Sequence, residues 1–275
     1  MILGGGGGAG MERIITRNGV ELHCWESGLE SGLPVILIHG GSMDHRMWDP
    51  QVEALSTGCR VLAHDVRGHG LSACRPSEFS LRAAADDLIA ILDAAGVERA
   101  GFVGHSLGGT ISQIAALEHP ERVAAFAGIG CACITMPPSP AMRLFSRVAP
   151  MLTRRMGPTG MREDTVKRAG VTARTREYGR NTVGALDDEM FEMQASASFA
   201  DYANLPGYRI GVPLLLLRGA RDRYAFLLSS APKWAKRDGG EFVVVPDAGH
   251  NAGQDNPGFV NARLMGLLGQ VAWMG

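Results

Sequence analysis

At 275 residues, 45% of them hydrophobic and 20% charged, the chain is long enough for one sizeable core and has the balance of an ordinary globular protein. Its formal charge of −1 excludes a generally basic, nucleic-acid-seeking surface. No apolar run approaches the roughly 20 residues of a membrane-spanning helix, so no membrane partner is expected.

Residues 1–10, Met1-Ile2-Leu3 followed by five glycines, lack the positive start and apolar core of a signal peptide. They read as a flexible leader, or as an over-long start upstream of Met11. Cys24, Cys59, Cys74, Cys131 and Cys133 are odd in number and have no metal-ligand spacing. Reduced thiols and a cytoplasmic location are the default expectation.

From Met11 to Gly28, two alternating segments flank Asn18-Gly19 and predict a hairpin. Val35-Ile36-Leu37-Ile38 is a continuous apolar run suited to a parallel strand buried on both faces, and it ends at His39-Gly40-Gly41. A helix is expected over Trp48–Leu55, then a strand over Arg60–His64 that leads into Asp65-Val66-Arg67-Gly68-His69-Gly70. Leu81, Ala84, Ala85, Leu88, Leu92 and Ala95 recur at helical spacing behind an N-capping Ser80 and before Gly96. Gly101-Phe102-Val103 is the next strand, and Arg122–Cys133 the sixth, with Cys131 and Cys133 on one strand face as small buried hydrophobes.

The rhythm then breaks. Residues 135–208 contain no buried-strand run, open on Met136-Pro137-Pro138-Ser139-Pro140, and hold seven of the 13 methionines. This segment is expected to be a helical lid over the carboxyl ends of the strands, where ligands of such sheets bind. Between Arg143 and Arg180 it carries ten basic and three acidic residues, either a solvated outer face or a source of arginines turned inward to a substrate carboxylate. Strands resume at Val212–Gly219 and Glu241–Val245, and a helix over Pro257–Met274 closes the chain. Alternating strands and helices predict an α/β fold: a mostly parallel sheet flanked by helices, with core residues 11–134 and 209–275 interrupted by the lid after the sixth strand.

Between the fifth strand and the following helix stands Gly104-His105-Ser106-Leu107-Gly108, the G-x-S-x-G pattern of a nucleophile elbow in its strand-turn-helix context. The bland alternative is chance, since the chain has 37 glycines. Two more polar groups follow predicted parallel strands, Asp222 and His250. Nucleophile, acid and histidine thus come in one of the known orders of the Ser-His-Asp triad. Asp247 is the rival acid, whereas His39, His69, His105 and Asp65 read as loop or wall residues.

With these motifs in view, the chain resembles the alpha/beta-hydrolase superfamily over nearly all of Met11 to Met274. The matching pieces are His39-Gly40-Gly41, Asp65 to Gly70, Gly104 to Gly109, Gly219 to Asp222, Gly249-His250 and Asn256-Pro257 with Phe259. It departs where a proline often follows the acid, having Arg223-Tyr224-Ala225-Phe226 instead. The resemblance implies that Ser106 attacks, His250 is base and then acid, and Asp222 orients the imidazole. It also implies an oxyanion hole from the backbone N–H groups of Gly41 and Leu107, with any part for Ser42 left open. Serine at 106 sets the chain apart from the dehalogenases and epoxide hydrolases of this fold, which need a carboxylate there. The expected activity is hydrolysis of a small to medium ester or lactone through an acyl-serine. A carbon–carbon bond hydrolase or aminopeptidase on the same triad, a lyase, or a non-catalytic ligand binder remain alternatives. No metal or organic cofactor is implied; the expected partner is a small-molecule substrate, and a homo-oligomer is left open.

Overall fold

The computed structural model describes residues 10–197, 205, 207–224 and 228–272. The expectations for residues 1–9 of the leader, for residues 198–204 and 206, for Ala225-Phe226 and for the end of the last helix at Met274 fall outside these.

Strands β1 (Met11–Arg17) and β2 (Val20–Gly28) form the expected hairpin, in register Arg17↔Val20. Asn18 (φ 50°) and Gly19 (φ 79°) both take the left-handed values that such a two-residue turn demands. Then follow β3 (Leu33–Ile38), α1 (Asp49–Leu55), β4 (Cys59–His64) and α2 (Leu81–Ala94), whose N-cap Ser80 accepts from the Ala83 N–H. β5 (Ala100–His105), α3 (Leu107–Glu118) and β6 (Val123–Ile129) complete the first half. After it come three helices of an insert: α4 (Pro140–Ala169), interrupted at Gly157, α5 (Ala173–Ala185) and α6 (Asp188–Ala197). The second half supplies β7 (Leu214–Gly219), α7 (Ala231–Asp238), β8 (Glu241–Val245), α8 (Ala252–Asp255) and α9 (Pro257–Ala272).

The eight strands make one sheet in the order β1-β2-β4-β3-β5-β6-β7-β8. β1 and β2 run antiparallel at one edge, and every pairing from β4/β3 onward is parallel. Central strands are buried on both faces, as their unbroken apolar runs require. One face packs against α2, α3 and α7 through Leu88, Ile111, Phe126 and Trp234; the other packs against α1 and α9 through Leu55, Val103, Leu215 and Leu264. The sixth strand is shorter than the sequence suggested. Gly130 at φ 60° turns the chain out of the sheet, so Cys131 and Cys133 lie in the loop beyond, still buried, and not on a strand face.

The parallel order brings the carboxyl ends of β3, β5, β6, β7 and β8 to one rim. At that rim the backbone crossing is tight. A Cβ on Gly104 would stand 2.6 Å from the Gly108 carbonyl oxygen, and one on Gly108 would fall on the carbonyl oxygens of Ile38 and His39. Gly108→Ala is therefore expected to cost about 3 kcal/mol of stability through overpacking against backbone that cannot yield, read as a lowered urea midpoint at unchanged slope.

Candidate active site

Ser106 sits in the turn between β5 and α3 at φ 49°, ψ −113°, a conformation costly for a residue with a side chain. Its N–H donates to the Ile129 carbonyl at 2.9 Å, and its own carbonyl accepts the Thr110 N–H at 3.2 Å, so strand end and helix start together fix the turn. Leu107 opens α3, where backbone N–H groups lack acceptors in the preceding turn and the helix presents partial positive charge.

Asp222 follows β7 and His250 follows β8. Their loops are stitched together by the Ala220 N–H to the Val245 carbonyl (2.9 Å) and the Arg221 N–H to the Ala248 carbonyl (2.8 Å). The buried Asp222 carboxylate accepts the Tyr224 N–H at 2.7 Å and lies 2.9 Å from His250 Nδ1. Burial pushes this carboxyl up, but the charge and hydrogen bond of His250 and the Tyr224 N–H more than offset it, and Asp222 is held below the usual carboxylate range. An ionised Asp222 accepts the Nδ1 proton and leaves Nε2 as the working nitrogen.

Two further rings pack edge-on against the His250 imidazole, His105 and Tyr224, each with centroids 4.8 Å away. Gly130 admits the imidazole edge, since a Cβ there would meet its Cε1 at 3.0 Å. Burial, aided by His250, pushes His105 down to about 3, so this ring is neutral. Its Nε2 lies 3.1 Å from the His250 carbonyl and holds the histidine loop from behind.

Ser106, His250, Gly41 and Leu107 line one cavity of about 210 Å3. The Ser106 hydroxyl makes no hydrogen bond to the imidazole among the described residues; the two groups share the cavity without that link closed. Met142, Met161, Thr165 and Phe191 of the insert supply much of its far wall.

The competing residues have other duties. Asp247 pairs with Arg221 at 2.8 Å on the exposed surface, away from the imidazole. His39, pushed by burial down to about 3, bonds the Gly40 carbonyl through Nδ1 (2.8 Å) and accepts the Val66 N–H at Nε2 (2.9 Å). Asp65 accepts from the His45 N–H and Nδ1 (both 2.8 Å) and from the Leu71 N–H (2.7 Å), which ties its loop. None of the insert's ten basic residues lines the cavity, which favours the solvated outer face over the alternative of arginines turned inward. Arg162 instead bonds the Leu186 carbonyl and Asp188, and Arg168 and Lys167 pair with Asp164 and Glu163.

Sequence reasoning missed the residues that fasten the insert to the site. Asp255 accepts N–H groups of Gly249 (2.8 Å), Val171 (3.0 Å) and Thr172 (3.0 Å), joining the α4–α5 junction to the histidine loop. Tyr178 of α5 exchanges hydrogen bonds of 3.0 Å with Asp44, beyond the Gly41 loop. Gln194 of α6 is buried on the cavity wall. No spacing in the sequence marks these residues, because their partners lie 84 or more residues away for Val171–Asp255, Asp44–Tyr178 and Ser42–Gln194.

Comparison with known proteins agrees with the fold. Residues 34–176 match the family model of the alpha/beta hydrolase fold. Epoxide hydrolase A of Mycobacterium tuberculosis is 38% identical over 144 residues, 50% of this chain and 44% of that protein. The chain thus spans less than half the length of that relative. A non-heme chloroperoxidase of Streptomyces lividans is 27% identical over 257 residues, 82% of this chain and 87% of that one. A solved thermophilic esterase from Thermogutta terrifontis is 28% identical, with a TM-score of 0.78 over 95% of this chain and 99% of that one. Among the described residues no helix is long and apolar enough to cross a membrane.

The Asp65 network carries a pH prediction. Burial pushes this carboxyl up, but the His45 hydrogen bond, the neighbouring histidines and the Leu71 N–H draw it down to about 2. A carboxyl depressed in the folded state stabilises above its unfolded pKa and loses that stabilisation as pH falls through the folded value. Asp65→Asn is expected to lower stability at pH 7 by about 2 kcal/mol. Its stability should also fall less steeply than wild type between about pH 4 and pH 2, as chemical denaturation at several pH values would show.

Proposed function

The chain belongs to the alpha/beta hydrolase fold family, and from that premise we propose that it is a serine hydrolase of small to medium neutral carboxylic esters or lactones. The observation that carries this reading is His250, which lines the same cavity as the strained Ser106 turn and has the Asp222 carboxylate 2.9 Å behind its Nδ1.

In this reading the Ser106 oxygen attacks the substrate carbonyl while His250 Nε2 takes the hydroxyl proton. Asp222 keeps the Nδ1 proton in place and offsets the charge of the imidazolium. The N–H groups of Gly41 and Leu107 receive the oxyanion, a contribution of about 3 kcal/mol each in the transition state. Collapse of the tetrahedral adduct expels the alcohol, which takes the proton from His250, and an acyl-serine remains. Water, deprotonated by His250, then attacks the acyl carbon; the carboxylic acid leaves and Ser106 recovers its proton.

Likeness to epoxide hydrolases does not redirect the chemistry. A carboxylate that opens an epoxide leaves an ester that water can cleave, whereas a serine alkoxide would leave an ether that water does not. Serine at 106 therefore favours acyl substrates. The cavity wall carries no Asp, Glu, Lys or Arg among the described residues, which suits an uncharged substrate and offers no counter-charge to the ammonium of a peptide. Its modest volume favours short acyl groups. The insert acts as the lid of this site.

Hydrolysis of p-nitrophenyl esters of increasing acyl length tests the reading. Wild type should release nitrophenol with kcat/KM highest for short chains, and Ser106→Ala should lose at least ~10^4-fold of kcat. Asp222→Asn should lose ~10^3- to 10^4-fold by releasing the imidazole tautomer. Release that persists undiminished in Ser106→Ala, or no release from any ester, would overturn the assignment.

A further inference from the structure

Beside the proposed oxyanion site, three polar groups meet that the triad does not use: Ser42 after β3, His69 after β4, and Gln194 from α6 of the insert. All three are buried, at 3%, 1% and 3% exposure, so each must find its partners within the protein. The Gln194 carboxamide lies over the oxyanion loop, with its Oε1 2.5 Å from where a Cβ of Gly41 would stand. Only a glycine at 41 lets it come so close.

The order of donors in this cluster matters. His69 is lowered by burial and stays neutral, with one ring proton to give. Its Nδ1 lies 3.2 Å from the Arg67 carbonyl and its Nε2 3.0 Å from Gln194 Oε1; with the single ring proton on Nε2, the side of the shorter contact, the carboxamide oxygen is engaged as acceptor. The amide NH2 then faces Ser42 and donates to its Oγ. A serine hydroxyl has a single proton; when its oxygen accepts from an amide, that proton is left to point elsewhere. Ser42 lines the same cavity as Ser106, Gly41 and Leu107. It is also held at φ 59°, a left-handed conformation that surrounding structure must enforce and that is characteristic of functional turns.

We propose that the Ser42 hydroxyl is a third donor to the oxyanion, alongside the N–H groups of Gly41 and Leu107, and that Gln194 is the positioning residue that turns its proton into the cavity. This rests on the serine-hydrolase reading above. It makes the insert part of the catalytic apparatus: α6 supplies the group that orients a donor on the core, with His69 orienting that group in turn. The Ser42 proton is not transferred. It shortens its hydrogen bond as charge develops on the substrate oxygen and relaxes when the carbonyl re-forms.

The test compares Ser42→Ala, Gln194→Glu and the double variant with wild type and Ser106→Ala on one short-chain p-nitrophenyl ester. Ser42→Ala should lower kcat ~10- to 100-fold with KM within about threefold, as expected for an interaction made in the transition state alone. Gln194→Glu places an acceptor where the amide NH2 stood and draws the Ser42 proton out of the cavity, so its kcat should fall as far. The double variant should fall no further, because both changes remove one donor. A second readout uses butaneboronic acid, which forms a tetrahedral adduct on a reactive serine without turnover; Ser42→Ala should weaken its binding ~10-fold or more. Melting temperatures of the variants guard against a merely structural effect. If kcat and boronate affinity of Ser42→Ala stay within threefold of wild type while Ser106→Ala is inactive, the Ser42 assignment is wrong and the hydrolase reading stands. If the losses in the two single variants multiply in the double one, Gln194 does not act through Ser42. If wild type neither turns over ester nor binds the boronate, both readings fall together.

Discussion

The site depends on a steric constraint, the crossing of three backbone segments at the end of β5. The turn that carries Ser106 passes so close to the end of β3 that a Cβ on Gly108 would fall on the carbonyl oxygens of Ile38 and His39, while Gly104 faces Gly108 and Gly109 at contact distance. Packing at that distance leaves the serine one backbone conformation, φ 49°, which an isolated chain would not choose. The free energy to hold it comes from the sheet beneath, where β5 is flanked by β3 and β6 and buried on both faces. The same crossing sets the loop after β3 next to the start of α3. That adjacency brings Gly41 and Leu107 to one cavity, where they form the proposed oxyanion site.

Around this turn, burial sorts a crowd of titratable groups into two kinds. Burial pushes His39 and His105 down to about 3 and His64 down to about 4, so they serve as neutral hydrogen-bonding rings. Asp65 and Asp222 are buried as well, yet each collects enough donors to remain ionised. Asp65 spends its charge on backbone N–H groups and His45, and shapes a loop. Asp222 spends its charge on His250, which alone of these histidines stands at the cavity with an ionised acid behind it. Two similar carboxylates thus acquire different duties from their partners.

The insert completes the surroundings. Asp255 binds it to the histidine loop, Tyr178 binds it to Asp44, and Gln194 reaches the oxyanion loop. Its apolar side chains, Met142, Met161 and Phe191 among them, line the cavity, while its many arginines and its lysine pair outward or lie away from that wall. An uncharged wall with an ionised acid behind His250 would give the electrostatic interactions of the proposed acyl transfer more weight than they would have in water.

Much of this architecture was legible in the residues themselves. Unbroken apolar runs such as Val35–Ile38 identify strands buried on both faces, Ser80 and Gly96 bracket α2, and Asn18-Gly19 sets the hairpin, because these signals act over a few residues. The Gly104-x-Ser106-x-Gly108 turn is legible for the same reason, and Asp222 and His250 are visible as polar groups just past strand ends. The tertiary structure decided what distance along the chain conceals. It ended β6 at Ile129 rather than Cys133, sent Asp247 to Arg221 on the surface, and kept the arginines of the insert off the cavity wall. It also brought Gln194 to Ser42 across 152 residues and Asp255 to Val171 across 84. Local order follows from backbone propensity and hydrophobic period, which a sequence carries openly. Which polar side chains meet follows from how the elements pack, and that is fixed only when the whole core closes.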